Sequence, residues 1–123
     1  MAVYNLERLT VLLVEDNRFV RFTLENLLRQ LQFREIMTAG NGAEAVEQLK
    51  TLHENRKKTG GTGVDIVLSD LVMAPVNGLL LLRWMRSSKE SPNRFVPFIM
   101  LSGAADEEYV HSARDLGVTE FLA

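Results

Sequence analysis

The sequence predicts an α/β protein, a single domain on a doubly wound, five-stranded parallel sheet. Three observations carry this. Short apolar runs alternate with segments of helical period, strand then helix four times, followed by a last strand. The runs at 10–14, 64–69 and 97–101 are apolar almost throughout, as strands covered on both faces are. The spacing between them leaves room for right-handed crossovers that put helices on both sides of the sheet. A length of 123 residues, with 46% hydrophobic and 24% charged, suits one domain with its own core.

Strand one is "TVLLV", 10–14, and it runs into Glu15 and Asp16. Asn17 can cap the next element. Phe19, Val20, Leu24, Leu27, Leu28 and Leu31 recur at helical spacing, which predicts helix one over 18–32. Strand two covers 35–39. "GNG" then turns the chain, and Ala43, Val46, Leu49 and Leu52 line one side of helix two. "ENRKKTGGTG", 54–63, is polar and glycine-rich and reads as a surface loop. Strand three, 64–69, ends against Asp70. Leu79, Leu82 and Met85 mark the core side of helix three, and "SSKESPNR" is a loop before strand four, 97–101. Helix four spans 106–116, with Tyr109, Val110 and Ala113 on its apolar side and Gly117 at its C-terminus. Strand five covers 118–122.

Composition narrows the function. The formal net charge is -2, and the one basic cluster, Arg56, Lys57 and Lys58, lies in the expected loop. Direct nucleic-acid binding, which needs a basic face, is not expected. The longest apolar runs, "VLLV" and "GLLLL", are too short to span a bilayer, and no signal peptide is expected in "MAVYNLERLT". There is no cysteine, hence no disulfide and no thiolate metal site. A cytoplasmic protein without a membrane partner is expected. "GNGAEA" has the G-x-G-x-x-A form, but it follows the second strand and lacks an acidic partner at the ribose-binding distance. It reads as a turn and helix start.

In open α/β sheets ligands bind beyond the carboxyl ends of the strands, at the topological switch point. Strand one delivers Glu15 and Asp16 there, strand three Asp70 and strand four Ser102. A strand-end carboxylate is costly to desolvate unless it meets a cation, a metal or water. Carboxylates converging on one edge need a cation, and hard oxygen ligands of this kind suit Mg²⁺. A metal would let Asp70 act as a nucleophile toward a phosphoryl group, with Ser102 bonding a phosphoryl oxygen.

These pieces resemble the receiver domain of two-component response regulators. The matching segments are "VLLVEDN" with its acidic pair, "VLSDLVM" with a strand-terminal aspartate, Gly78 eight residues after it, "IMLSG" with its hydroxyl, and "GVTEFLA". The resemblance covers nearly the whole chain. It implies a flavodoxin- and CheY-like fold with strand order 2-1-3-4-5. It implies that Asp70 is the phosphoacceptor and that Glu15, Asp16, Asp70 and the Val72 carbonyl form the Mg²⁺ site. Asp16 would bind directly and Glu15 through water. Ser102 would be the switch hydroxyl and Phe121 the switch aromatic. A histidine kinase or phosphotransfer protein would be the donor. The chain would catalyse only its own phosphorylation and dephosphorylation, with output from the face of helix four and strand five. Val72 and Ala104, small and apolar beside the acceptor, imply moderate self-dephosphorylation.

The sequence departs from that pattern in two places. Met73 is followed by Ala74, with Pro75 one later, where the family has proline directly after the methionine. The family lysine after strand five would follow Ala123, and the family's fifth helix is absent, so residues 1–123 are expected to be a receiver cut before the end of strand five and that helix. Two other functions compete. A haloacid-dehalogenase-type phosphatase needs a second aspartate two residues after the nucleophile, where this chain has Val72. A degenerate receiver acting only by protein contacts fits the missing lysine but not the intact acidic set. Leu80 and Trp84, four apart on helix three and off its core side, are expected to form an apolar contact patch for a dimer mate or a missing segment, and a homodimer mate or an effector protein is an expected partner of the domain.

Overall fold

The computed structural model describes residues 6–59, 63–102 and 107–122. After a 3-10 turn at Leu6–Arg8, the elements are β1 (Thr10–Val14), α1 (Arg18–Gln30), β2 (Glu35–Ala39), α2 (Gly42–Thr59), β3 (Ile66–Asp70), α3 (Gly78–Ser87), β4 (Phe98–Leu101), α4 (Glu107–Asp115) and β5 (Glu120–Leu122). The strands form one sheet in the order β2-β1-β3-β4-β5, parallel throughout. This is the predicted order. From β1 the chain steps outward to β2, then returns past β1 to β3 and continues the other way. That reversal opens a crevice at the carboxyl ends of β1 and β3.

Alternation along each strand sorts side chains to two faces. Leu12, Val14, Ala39, Val67, Phe98 and Met100 face α2, α3 and α4, where they pack with Ala45, Leu49, Leu81, Leu82, Met85 and Ala113. All of these are buried, and this is the main core. Val11 and Leu13 take the opposite face, against Leu28 and Leu24 of α1. On that face Ile66 and Leu68 stay half-buried. Burying a leucine-sized side chain is worth about 2 kcal/mol, so the α2–α3–α4 side carries most of the apolar stabilisation.

Local chemistry sets the helix ends. The Asn17 carboxamide accepts from the Val20 amide at 3.0 Å and caps α1. The Asn77 carboxamide accepts from the Leu80 amide at 2.9 Å and caps α3. Gly117 closes α4 in the left-handed region at φ 87°. There its amide donates to Arg114 O at 3.0 Å and the Val118 amide donates to Ala113 O at 2.9 Å. This is a Schellman closure of the kind glycine favours.

Four expectations are corrected. Helix two does not stop before "ENRKKT" but runs to Thr59. Glu, Arg and Lys are good helix formers, and Arg56 donates to Pro92 O at 3.1 Å, tying this end to the loop before β4. Strand three starts two residues later and includes Asp70, because the Asp65 carboxylate accepts the Thr10 amide at 2.7 Å and serves the edge of the ladder with its side chain. On α3 the buried face is Gly78, Leu81, Leu82 and Met85, while Leu79 is half-buried. On α1 only Leu24 and Leu28 join the core; Phe19, Val20, Leu27 and Leu31 are exposed. That helix carries more apolar residues than one stripe against the sheet can bury. The expected start of helix four, Asp106, lies outside the described residues.

Candidate functional site

The site is built from the ends of two neighbouring strands. The Glu15 amide donates to Ala39 O at 3.1 Å, which extends the β1–β2 ladder by one residue. Glu15 is thereby held at the sheet edge and is buried, while Asp16 is exposed. The Asn17 amide reaches back toward Glu15 Oε2 at 3.5 Å, and α1 begins. Asp70 is the last residue of β3, half-buried, in register with Leu101 of β4. Its Oδ1 accepts from the Leu71 amide at 2.9 Å.

Glu15, Asp16 and Asp70 each bring a carboxylate oxygen into one group in which these atoms lie within 4.8 Å of one another. Among the described residues no lysine or arginine forms an ion pair with this group; the pairs Arg29–Glu25 and Lys50–Glu90 lie elsewhere. Burial pushes the Glu15 carboxyl up from 4.5 to about 7, and the negative charge of Asp70 adds to it. Crowded carboxylates of this kind are relieved by a cation. Hard carboxylate oxygens gathered within 4.8 Å of one another, with water to complete the shell, suit Mg²⁺ by charge and donor type.

α3 closes tightly on the end of β3. The Gly78 amide donates to Leu71 O at 2.9 Å. A β-carbon at 78 would overlap the Asp70 carbonyl oxygen and stand 2.7 Å from Met100 Sδ. Glycine is required here because the helix start and the strand end meet backbone to backbone.

The remaining predicted residues are distributed as follows. Ser102 is buried and directly follows Leu101, the register partner of Asp70; its amide donates to Leu122 O at 3.0 Å. Val72 is 70% exposed and joins Leu71, Met73, Asn77 and Tyr109 around a cavity of about 100 Å³. Phe121 pairs with Met100 and packs half-buried against the main core. Ala104 lies outside the described residues. The Leu80–Trp84 pair divides: Leu80 is 50% exposed, but Trp84 is half-buried and packs against the main core. Trp84 therefore does not project freely from α3. Sequence reasoning misses Arg21, whose Nη1 donates to the Glu15 carbonyl at 2.8 Å. Its one signal is a basic residue a turn into the helix that follows the acidic pair.

Among the described residues no helix is long and apolar enough to cross a membrane. The receiver domain of the histidine kinase CKI1 from Arabidopsis thaliana, crystallised in complex with Mg²⁺, shares the fold. It superposes with a TM-score of 0.83 at 24% identity over 95% of this chain and 86% of that one. The transcriptional regulatory protein PdtaR of Mycobacterium tuberculosis is 30% identical over 112 residues, 91% of this chain. The chain spans about half of that relative, 47% of its length. The probable chemotaxis protein CheY of Rhizobium etli is 29% identical over 117 residues, 95% of this chain and 81% of that protein. The model of the response regulator receiver domain matches residues 11–123. With the predicted strand order observed and the acidic trio assembled at its crevice, this chain belongs to the response regulator receiver domain family of two-component systems.

Proposed function

We propose that this chain is a phosphoacceptor switch: Asp70 takes a phosphoryl group from a phosphohistidine on a histidine kinase or phosphotransfer partner. The observation that carries this is the trio Glu15, Asp16 and Asp70, its oxygens within 4.8 Å and, among the described residues, without a lysine or arginine in an ion pair with them. The likeness of the whole fold to the CKI1 receiver, crystallised in complex with Mg²⁺, supports the choice of ion. Glu15, Asp16, Asp70 and the Val72 carbonyl would hold Mg²⁺, Asp16 directly and Glu15 through water. The ion, when bound, neutralises charge on the transferring phosphoryl oxygens.

The chain's own residues do the rest. An Asp70 carboxylate oxygen bonds to phosphorus as the phosphorus–nitrogen bond of the donor breaks, and the imidazole leaves with that electron pair. The Ser102 hydroxyl, one residue beyond the register partner of Asp70, donates to a phosphoryl oxygen. Phe121 follows Ser102, since Ser102 is tied to β5 through the Leu122 carbonyl. The surface of α4 and β5 then reads the phosphorylated state. Hydrolysis of the acyl phosphate by water resets Asp70, and the chain acts as a signalling switch rather than an enzyme on a separate substrate.

The test is intact-protein mass after incubation with acetyl phosphate, with and without Mg²⁺, beside Asp70→Asn. One phosphoryl adduct that needs Mg²⁺ and is lost in Asp70→Asn is expected. Absence of any adduct together with absence of Mg²⁺ binding would overturn the reading in favour of a receiver that works by protein contacts only.

A further inference from the structure

We propose that Arg21 is a positioning residue for the acidic trio, its guanidinium fixing the turn 15–17 that presents Glu15 and Asp16; for its bearing on the cation this rests on the reading above. Arg21 Nη1 donates to the backbone carbonyl of Glu15 at 2.8 Å, across six residues and partly buried. Glu15 stands one residue beyond the end of β1. The Glu15 amide is held by Ala39 O at 3.1 Å, so the residue is clamped on both sides, by β2 at its amide and by α1 at its carbonyl.

The same guanidinium reaches the neighbouring turn. A β-carbon on Gly40 would stand 3.5 Å from Arg21 Nη1 and 3.1 Å from Glu44 Oε2. Glu44 in turn accepts the Gly40 amide at 2.9 Å. Arg21 thus extends from α1 across the β1–α1 turn to within contact of the β2–α2 turn at Gly40. The base of α1 is fixed as well: the Arg21 amide donates to Asn17 O at 2.8 Å. The turn between these two bonds contains Glu15, Asp16 and Asn17, and its conformation is specified at both ends by the one residue.

This has a physical purpose. Two of the three carboxylates lie on the turn, and repulsion within the trio acts to push them apart. A charged hydrogen bond to a carbonyl holds more firmly than a neutral one. It does so without occupying a carboxylate oxygen that the cation needs. Groups that orient metal ligands in this way typically change metal affinity about ten- to a hundred-fold when removed.

The experiment compares the wild-type chain with Arg21→Ala, Arg21→Lys and Arg29→Ala. Arg29 lies on the same helix, pairs with Glu25 and has a side chain that is 67% exposed, so it controls for general loss of helix stability. Two readouts are taken: Mg²⁺ affinity by calorimetric titration, and amide hydrogen exchange of the metal-free proteins. Arg21→Ala is expected to weaken Mg²⁺ binding about tenfold and to speed exchange at the Glu15 amide, which Ala39 O holds, while core amides of β1 and β3 keep their protection. Arg21→Lys should recover part of the affinity, and Arg29→Ala should match wild type. Unchanged exchange at the Glu15 amide in Arg21→Ala would overturn the positioning role. So would Mg²⁺ loss of equal size in Arg29→Ala. A wild-type chain that neither binds Mg²⁺ nor forms the phosphoryl adduct overturns the phosphoacceptor reading instead, and the exchange data still decide the role of Arg21.

Discussion

Gly78→Ala tests how the fold holds the end of β3. The new β-carbon would overlap the Asp70 carbonyl oxygen and stand 2.7 Å from Met100 Sδ. The methionine tail can swing aside, but the carbonyl moves only if the end of β3 or the start of α3 moves. Overpacking of this kind costs about 3 kcal/mol. Alanine recovers up to about 1 kcal/mol of helix propensity, leaving a net loss of roughly 2 kcal/mol. For a chain of this size that lowers the melting temperature by about 8 °C. Gly40→Ala is the contrast. Its nearest neighbour is the far end of the Glu44 side chain at 3.1 Å, which can yield. Its expected cost is less than about 1 kcal/mol. Thermal and urea unfolding by circular dichroism measure both. A Gly78→Ala protein melting within about 2 °C of wild type, or below Gly40→Ala by no margin, would refute the close-contact argument.

Further outcomes follow from the same geometry. The folded-state Glu15 carboxyl is raised from 4.5 to about 7, so in the metal-free protein its contribution to stability is complete below pH 4.5 and is lost as pH rises through 7. Mg²⁺ must displace that proton, so its affinity should weaken as pH falls below about 7, with proton release on binding; calorimetry in two buffers checks this, and affinity independent of pH between about 6 and 8 would contradict it. Asn77→Ala removes the cap on the Leu80 amide and should cost about 1 kcal/mol in urea unfolding. Trp84→Ala should cost about 2 kcal/mol because the indole packs half-buried on the main core, whereas Leu80→Ala should stay within about 0.5 kcal/mol; equal effects would remove the distinction drawn between them.

The parts of this structure that are legible in the sequence are those governed by burial on both faces. β1 reads directly because all five of its residues are buried. The acidic residues are legible because they interrupt such runs: Glu15 and Asp70 stand where apolar strands end, and a carboxylate there is costly unless a cation, a metal or water meets it. Gly117 and Asn17 are legible because glycine and asparagine serve helix ends by local chemistry. The failures have physical causes too. Four adjacent leucines, Leu79 to Leu82, carry no period of their own, so the buried Leu81 goes unread beside the expected Leu82 and Met85. Trp84, expected off the core side, packs half-buried against the core all the same. The last turns of α2 look like a loop by polarity, yet charged residues on an exposed helix face are equally polar. Arg21 carries little signal of its own, since its role lies in a bond to a carbonyl that only the folded turn brings within reach.

The central claim is that Asp70 is where phosphate is bound covalently. Its most direct test is to react the chain with acetyl phosphate and Mg²⁺, reduce the product with borohydride, which converts an acyl-phosphorylated aspartate to homoserine, and locate the change by peptide mass spectrometry. Homoserine at position 70 alone, formed only when Mg²⁺ is present, is the predicted result. Reduction at Asp16 or Glu15 with Asp70 unmodified, or stable phosphate on Ser102, would contradict it.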